Sequence, residues 1–314
     1  DPGEPAREVW YSLVTHPEEP MALWHRLTLV RTAAGDRDAR VWAAVSDGRP
    51  GNENRFVSQS VDSDAIDLTS GPFSLALGQA RLADDAASGR IETAETSVSW
   101  AFEYEPDSLT FAGLADEERM REFADEFGTG VHWSTNQSVA MTGEVTVDGE
   151  TTRFSDAPGH QGHTAGGSTP DGWTWLHCND FAGGEATVEV IQTDAGFGPA
   201  CLRLDGERHL LNGELDVFEA VTTESNEPGR WEFDLAAGDL SCSVSVAADP
   251  DHWQRVSYLT PDGSLRYNAH CSLAECTLTV DDGTDRARYQ SETARVEWVD
   301  TAPPVPGSYP PFDG

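Results

Sequence analysis

Apolar and polar residues alternate in short runs along most of the chain, the period-two signature of half-buried strands. The clearest run spans Thr96 to Glu105. There Val98, Trp100, Phe102 and Tyr104 face one way, and Ser97, Ser99, Glu103 and Glu105 the other. Leu23 to Arg31 places Leu23, His25, Leu27 and Leu29 together on one face. Further strand-like runs cover 9–15, 40–46, 55–61, 73–77 and 137–147, the last turning at Asp148-Gly149 into 151–154 as a hairpin. After these come 173–179, 186–192, 200–204, 207–211, 215–221, 231–235, 240–246, 255–259, 264–271, 276–280, 287–290 and 295–299. One stretch breaks the pattern: in 115–127, Met120, Phe123 and Phe127 fall at helical spacing, which predicts a short amphipathic helix.

Many short strands with one helix predict an all-β, antiparallel sandwich or barrel architecture. The Gly/Ser/Thr/Pro cluster from Gly162 to Pro170 is the best mid-chain boundary. It divides the chain into β-domains at 1–168 and 169–314. The tail TAPPVPGSYPPFDG is expected to pack as an extended segment or to be mobile.

The least ordinary stretch is 156–181, DAPGHQGHTAGGSTPDGWTWLHCNDF. Its first half reads as a glycine-rich loop carrying His160 and His163; its second half alternates as a strand. One face of that strand shows Trp173, Trp175, His177 and Asn179, which suits the wall of a wet aromatic pocket. The bland alternative is an inter-domain packing seam, although a buried His and Asn would still need partners. The spacing of His160, His163 and His177 is not specific for zinc, so no metal is expected.

Composition narrows the function classes. Twenty basic residues, all Arg, stand against 55 acidic ones, a net charge of −35. Acidic side chains are spread along the whole chain, which suits a high-salt cytoplasm of the haloarchaeal kind. Nucleic acid is excluded as a natural partner, because phosphate binding needs a basic surface. Five cysteines, with no CxxC pair, read as reduced buried thiols. There is no run of about 18 apolar residues, and so no membrane-crossing helix is expected. The chain begins at Asp1 rather than Met, which leaves room for a trimmed leader.

A second motif, Glu214-Leu215-Asp216-Val217-Phe218-Glu219, resembles the paired-carboxylate strand of β-glucanases. On a regular strand Glu219 points away from Glu214 and Asp216, and acidic hexapeptides are common in so acidic a chain. A glycoside hydrolase is therefore a distant third reading.

PGHQGHTAGG followed by WTWLHCNDF resembles the tocopherol cyclase family and its lipocalin-like relatives, which include the carotenoid 1,2-hydratases. Trp10-Tyr11 in EVWYSLV, WEFDL with the segment from Ala248 to Val280, and the closing ETARVEW are similar to further pieces of that family. The resemblance implies two lipocalin-like antiparallel β-barrel domains packed side by side. It implies a pocket at the domain junction, and acid-assisted cyclisation or hydration of an isoprenoid, lipophilic polyene or quinol without a cofactor. The acid would come from Asp156, His160, His163 or His177. Trp173, Trp175, Trp133, Tyr11 and Asn179 would bind the substrate, with indole faces supporting a carbocation. Peripheral contact with membrane lipids would fit such a substrate; nothing bears on the oligomeric state. Two departures stand out. Ala165 occupies the place of a family Trp, and Gly162 that of an acidic residue. Both favour the rival reading, a lipocalin-like carrier that performs no chemistry.

Charge alone makes one prediction. With 55 acidic residues against 20 Arg, the thermal midpoint rises steeply as NaCl goes from about 0.1 M, where the Debye length is roughly 10 Å, to above 1 M. A salt-independent calorimetric midpoint contradicts the high-salt reading.

Overall fold

The computed structural model describes residues 4–108, 110–111, 118, 122, 130–194, 198–211, 222–224, 229–237 and 239–312. Two compact units are present. The first comprises Asp1–Phe111, Arg121–Thr169 and Leu259–Ser264; the second comprises Ala112–Met120, Pro170–Tyr258 and Leu265–Gly314.

The first unit holds β1 (Ala6–Thr15), β2 (Met21–Arg31), β3 (Arg37–Asp47), β4 (Arg55–Ser60), β5 (Ile66–Ser70), β6 (Phe73–Leu77), β7 (Ala80–Ala83), β8 (Ala86–Glu92), β9 (Ser97–Glu103), β10 (Val131–Val147) and β11 (Glu150–Gly166). They form one antiparallel sheet in the order β4-β3-β2-β1-β11-β10-β9-β8-β7-β6-β5. Every pair of neighbours is consecutive in sequence except β1 and β11, the first and last strands. The sheet curls into a half-barrel. Its concave face gathers Trp10, Leu23, Leu27, Val41, Leu75, Trp100, Phe102, Met141 and Phe154 into one core cluster. The predicted face of β9 is borne out: Val98, Trp100, Phe102 and Tyr104 are all buried in it. Each such aliphatic side chain contributes about 1.5–3 kcal/mol by leaving water.

The second unit repeats the plan. Its strands are β12 (Trp173–Cys178), β13 (Ala186–Thr193), β14 (Ala200–Leu204), β15 (Glu207–Leu210), β16 (Thr222–Glu224), β17 (Arg230–Ala237), β18 (Leu240–Ala247), β19 (Gln254–Leu259), β20 (Leu265–Asp281) and β21 (Arg286–Asp300). The order is β15-β14-β13-β12-β21-β20-β18-β17-β16, with β19 paired to β20, so again the first strand pairs with the last. Its core holds Leu176, Val188, Val190, Phe233, Val244, Leu278 and Val296. All five cysteines are free and buried. Burial pushes the thiols of Cys242 and Cys271 up, to about 11 and about 12. The Pro-rich tail packs on this unit: Tyr309 is fully buried, its hydroxyl donates to the Val305 carbonyl at 2.8 Å, and the Ser257 amide donates to the Pro310 carbonyl at 2.9 Å.

The all-β, lipocalin-like reading therefore holds. Three details differ from the sequence pattern. The expected glycine-rich loop is no loop: 150–166 is one continuous strand, β11. Its glycines make room for neighbouring side chains. A Cβ on Gly159 would lie 2.5 Å from Met141, and one on Gly162 would lie 2.3 Å from the Tyr11 hydroxyl. Second, 264–271 and 276–280 join into β20, and 287–290 and 295–299 into β21. Register shifts at Cys271/Ala274 and Ala274/Cys276 explain why period two fades there. Third, β5, β7, β8 and β16 have no counterpart in the sequence pattern, because these strands are short and carry few apolar alternations. Of the expected helix at 115–127 only Glu118 and Glu122 are described, both helical; the rest lies outside the described residues. The strand expected at 215–221, and with it the Glu214/Asp216/Glu219 motif, also lies outside them. Among the described residues no helix is long and apolar enough to cross a membrane.

One buried group ties this core to pH. His25 on β2 is 2% exposed, neither ring nitrogen has a hydrogen-bond partner, and burial lowers its pKa from 6.5 to about 3. The unfolded chain takes up a proton below 6.5 that the folded chain refuses until about 3. The stability held by neutral His25 is thus complete above 6.5 and is lost as pH falls toward 3, by about 1.4 kcal/mol per pH unit. Denaturant titrations of wild type and His25→Leu across this window should diverge, the variant showing the shallower acid loss. Parallel curves would contradict the assignment.

Candidate functional site

Directly opposed residues on antiparallel strands share a face, so the register of β10, β11, β1 and β2 sorts the candidates. On the concave face of the first unit, Trp133, His163, Trp10 and Leu27 form one row across four strands. The next row along is Asn136, Gln161, Ser12 and His25. On the other side of the first row lie Val131, Ala165, Glu8 and Leu29. Trp133 and Asn136 are three residues apart and would point to opposite faces of a regular strand. A bulge between them, opposite the two-residue step from His163 to Gln161, turns both inward.

His163 stands at the centre of this surface. Its Nε2 donates to Glu8 Oε2 at 2.8 Å. Trp10 stacks on its ring at 4.7 Å with 15° between planes, and Trp133 meets it edge-on at 4.2 Å. The His163 side chain is 14% exposed and the Glu8 carboxylate 42%. The dyad is therefore aromatic on two sides and open to solvent on another. Beside it the Gln161 carboxamide is fixed: its Oε1 accepts from the Tyr104 hydroxyl at 2.9 Å and from Asn136 Nδ2 at 2.7 Å. Burial raises the Tyr104 pKa, and Asp85 and Asp84 add to it, so the group stays a phenol.

The other sequence candidates of this unit are not with His163. His160 points to the opposite face of β11, fully buried; its Nδ1 lies 3.2 Å from the Gln137 carbonyl and its Nε2 3.4 Å from the Tyr11 hydroxyl. Tyr11 shares that face and covers Gly162, its register partner. Asp156 belongs to neither group. It is exposed on β11 with φ at 49°, its amide donating to Thr142 Oγ1 at 3.2 Å.

In the second unit the expected face of β12 is present. Leu176 and Cys178 enter the core, while Trp175 and His177 lie on the reverse side. His177 is fully buried between its register partners Glu189 and Arg295, also fully buried. Arg295 Nη1 donates to His177 Nδ1 at 3.2 Å and to Asn179 Oδ1 at 2.6 Å, and Trp175 Nε1 donates to Glu189 Oε1 at 3.0 Å. A guanidinium can only donate, so His177 Nδ1 must accept, which leaves the imidazole neutral with its proton on Nε2. Desolvation lowers the Arg295 pKa to about 10, still a cation at neutral pH. Trp173 stacks on Tyr258 at 6.4 Å, and the Tyr258 hydroxyl reaches Glu297 Oε1 at 3.3 Å. His177 is thus locked as a neutral member of a buried network.

A search against protein-family models finds no match. None of the curated protein sequences matches significantly. Solved structures do match over nearly the whole chain. The AttH candidate NE1406 of Nitrosomonas europaea is 13% identical, covers 94% of this chain and 93% of its own, and superposes with a TM-score of 0.59. CghA, solved with Sch210972, is 13% identical over 94% of this chain and 88% of its own, TM-score 0.57. Kievitone hydratase of Nectria haematococca is 13% identical over 93% and 88%, TM-score 0.54. At such identities the likeness establishes the fold.

Six residues of the first unit's site are absent from the sequence candidates: Glu8, Trp10, Ser12, His25, Asn136 and Gln161. Trp10 and Glu8 share a face by simple alternation, a signal that was readable. That this face meets His163 depends on pairing β1 with β11, a contact 155 residues apart in the chain. The same pairing explains Gly162. The acidic residue expected there would collide with Tyr11, and Glu8 brings a carboxylate to His163 from the neighbouring strand instead. Gly162→Ala places a methyl against the Tyr11 ring and should cost about 1–3 kcal/mol. Chemical denaturation measures this, and a Tyr11→Ala background should relieve it.

Proposed function

We propose that the chain is an enzyme that protonates a carbon–carbon double bond of a lipophilic isoprenoid, polyene or quinol and completes hydration or ring closure, with His163 as the acid. The observation that carries this reading is the Glu8–His163 pair set between Trp10 and Trp133. The kievitone hydratase likeness supports the hydration branch.

The chemistry follows from the contacts. Glu8 holds Nε2–H and fixes the orientation of the ring. Nδ1, the nitrogen that Glu8 does not hold, gives its proton to the alkene carbon as the π bond breaks. The cation left on the neighbouring carbon is supported by indole π density. Water, or a hydroxyl of the same substrate, forms the new C–O bond and returns its proton to Nδ1, restoring the imidazolium. No cofactor enters the balance. His177 is not the acid in this scheme, because Arg295 already occupies its Nδ1. His160 and Asp156 lie off the face where His163 works.

With isoprenoid quinols and polyenes assayed in molar salt, His163→Gln should lower kcat by about 10²–10⁴-fold with KM nearly unchanged. Glu8→Gln should lower kcat less, and Glu8→Asp should recover part of it. Unchanged turnover in His163→Gln overturns the assignment. Ala165 motivates a second reading, a carrier: it places a methyl beside Glu8 where the resemblance calls for an indole. Tight binding of these lipids by wild type with no turnover would select the carrier.

A further inference from the structure

The row next to His163 is unusual for a barrel interior. Asn136, Gln161, Ser12 and His25 are each 2% exposed or less, yet they sit among Leu23, Leu27, Val41 and Phe102 of the core. His25 leaves both ring nitrogens without a partner, and so does Trp100 with its Nε1, at a ring separation of 5.1 Å from His25. Trp100 itself is held flat, since a Cβ on Gly89 would lie 2.3 Å from its ring. An unmatched buried donor or acceptor costs about 1–3 kcal/mol, so three such atoms in one place are a standing deficit that a bound molecule would remove.

We infer that Gln161, Ser12, His25 and Trp100 form a binding site for the neutral oxygen-bearing end of a lipophilic molecule, a hydroxyl or carbonyl. Built on the proposed function, the inference names where that substrate's oxygen sits. The donor count sets the ligand chemistry. Trp100 offers an N–H. Gln161, its oxygen engaged twice, offers amide N–H groups. His25, neutral from pH 7 down to about 3, offers one donor and one acceptor. Ser12 offers both. No member of the row carries charge, so an ammonium or a carboxylate is disfavoured while an alcohol or ketone is matched. Rows two residues apart are separated by about 7 Å along a strand. The oxygen therefore lies roughly five bonds from the carbon that His163 would protonate.

Calorimetric titration in molar salt with farnesol and with its hydrocarbon lacking the hydroxyl tests this directly. Wild type should bind the alcohol about tenfold more tightly or better, the worth of one to two hydrogen bonds. His25→Leu and Trp100→Phe should each reduce that preference several-fold while leaving hydrocarbon affinity unchanged. Folding is not at risk in His25→Leu, which places an apolar side chain among Leu23 and Leu27. Equal affinity for the two probes, binding of neither, or a preference surviving both substitutions overturns the site; the last means that only enclosed water occupies the row. These outcomes are independent of turnover. If His163→Gln leaves chemistry intact while the alcohol preference holds, the catalytic reading falls and the binding row stands.

Discussion

Pairing the first strand of each unit with its last is the contact on which everything else depends. Hairpins between sequence neighbours form cheaply, because the loops that close them are short. The β1–β11 ladder closes a loop of well over a hundred residues and joins two meanders into one sheet. It also sets the register that brings Trp10 opposite His163 and Ser12 opposite Gln161. A slip of one residue would move the whole set to the other face. Tyr11 guards against such a slip, because its ring fits only over a residue without a side chain, Gly162.

The two units share this topology and use it differently. In the first, the polar and aromatic residues of interest lie on the concave face, within the half-barrel's own core. In the second, the concave face is plainly apolar, with Leu176, Cys178 and Val296 inside, and the polar side chains sit on its reverse. There Trp175 bonds Glu189, and Arg295 bonds His177 and Asn179, which offsets part of the cost of burying their charge. In the first unit both His25 nitrogens and Trp100 Nε1 go unmatched side by side, next to the Glu8–His163 pair.

Local pattern carried much of this into the sequence. Period two located most strands within a few residues, and alternation correctly placed Val98, Trp100, Phe102 and Tyr104 in the core and Trp175 with His177 on a common face. Glycine misled where it serves close packing rather than turning: Gly159 and Gly162 made a strand look like a loop. The site was half legible. His163 and Trp133 could be named by residue type, but Glu8 and His25 come from strands whose neighbours are decided by long-range pairing. His25 in particular reads in sequence as one more member of an apolar face, since nothing local shows that its nitrogens go unmatched.

The bulge in β10 writes the site into strand length. One extra residue, absorbed by the bulge, lets Trp133 and Asn136 serve the same surface. Deleting one residue between them would restore a regular two-residue step opposite His163 and Gln161 and leave both side chains inward. Pairing the present residues one to one with β11, without the bulge, would turn one of the two outward and separate the aromatic row from the polar one.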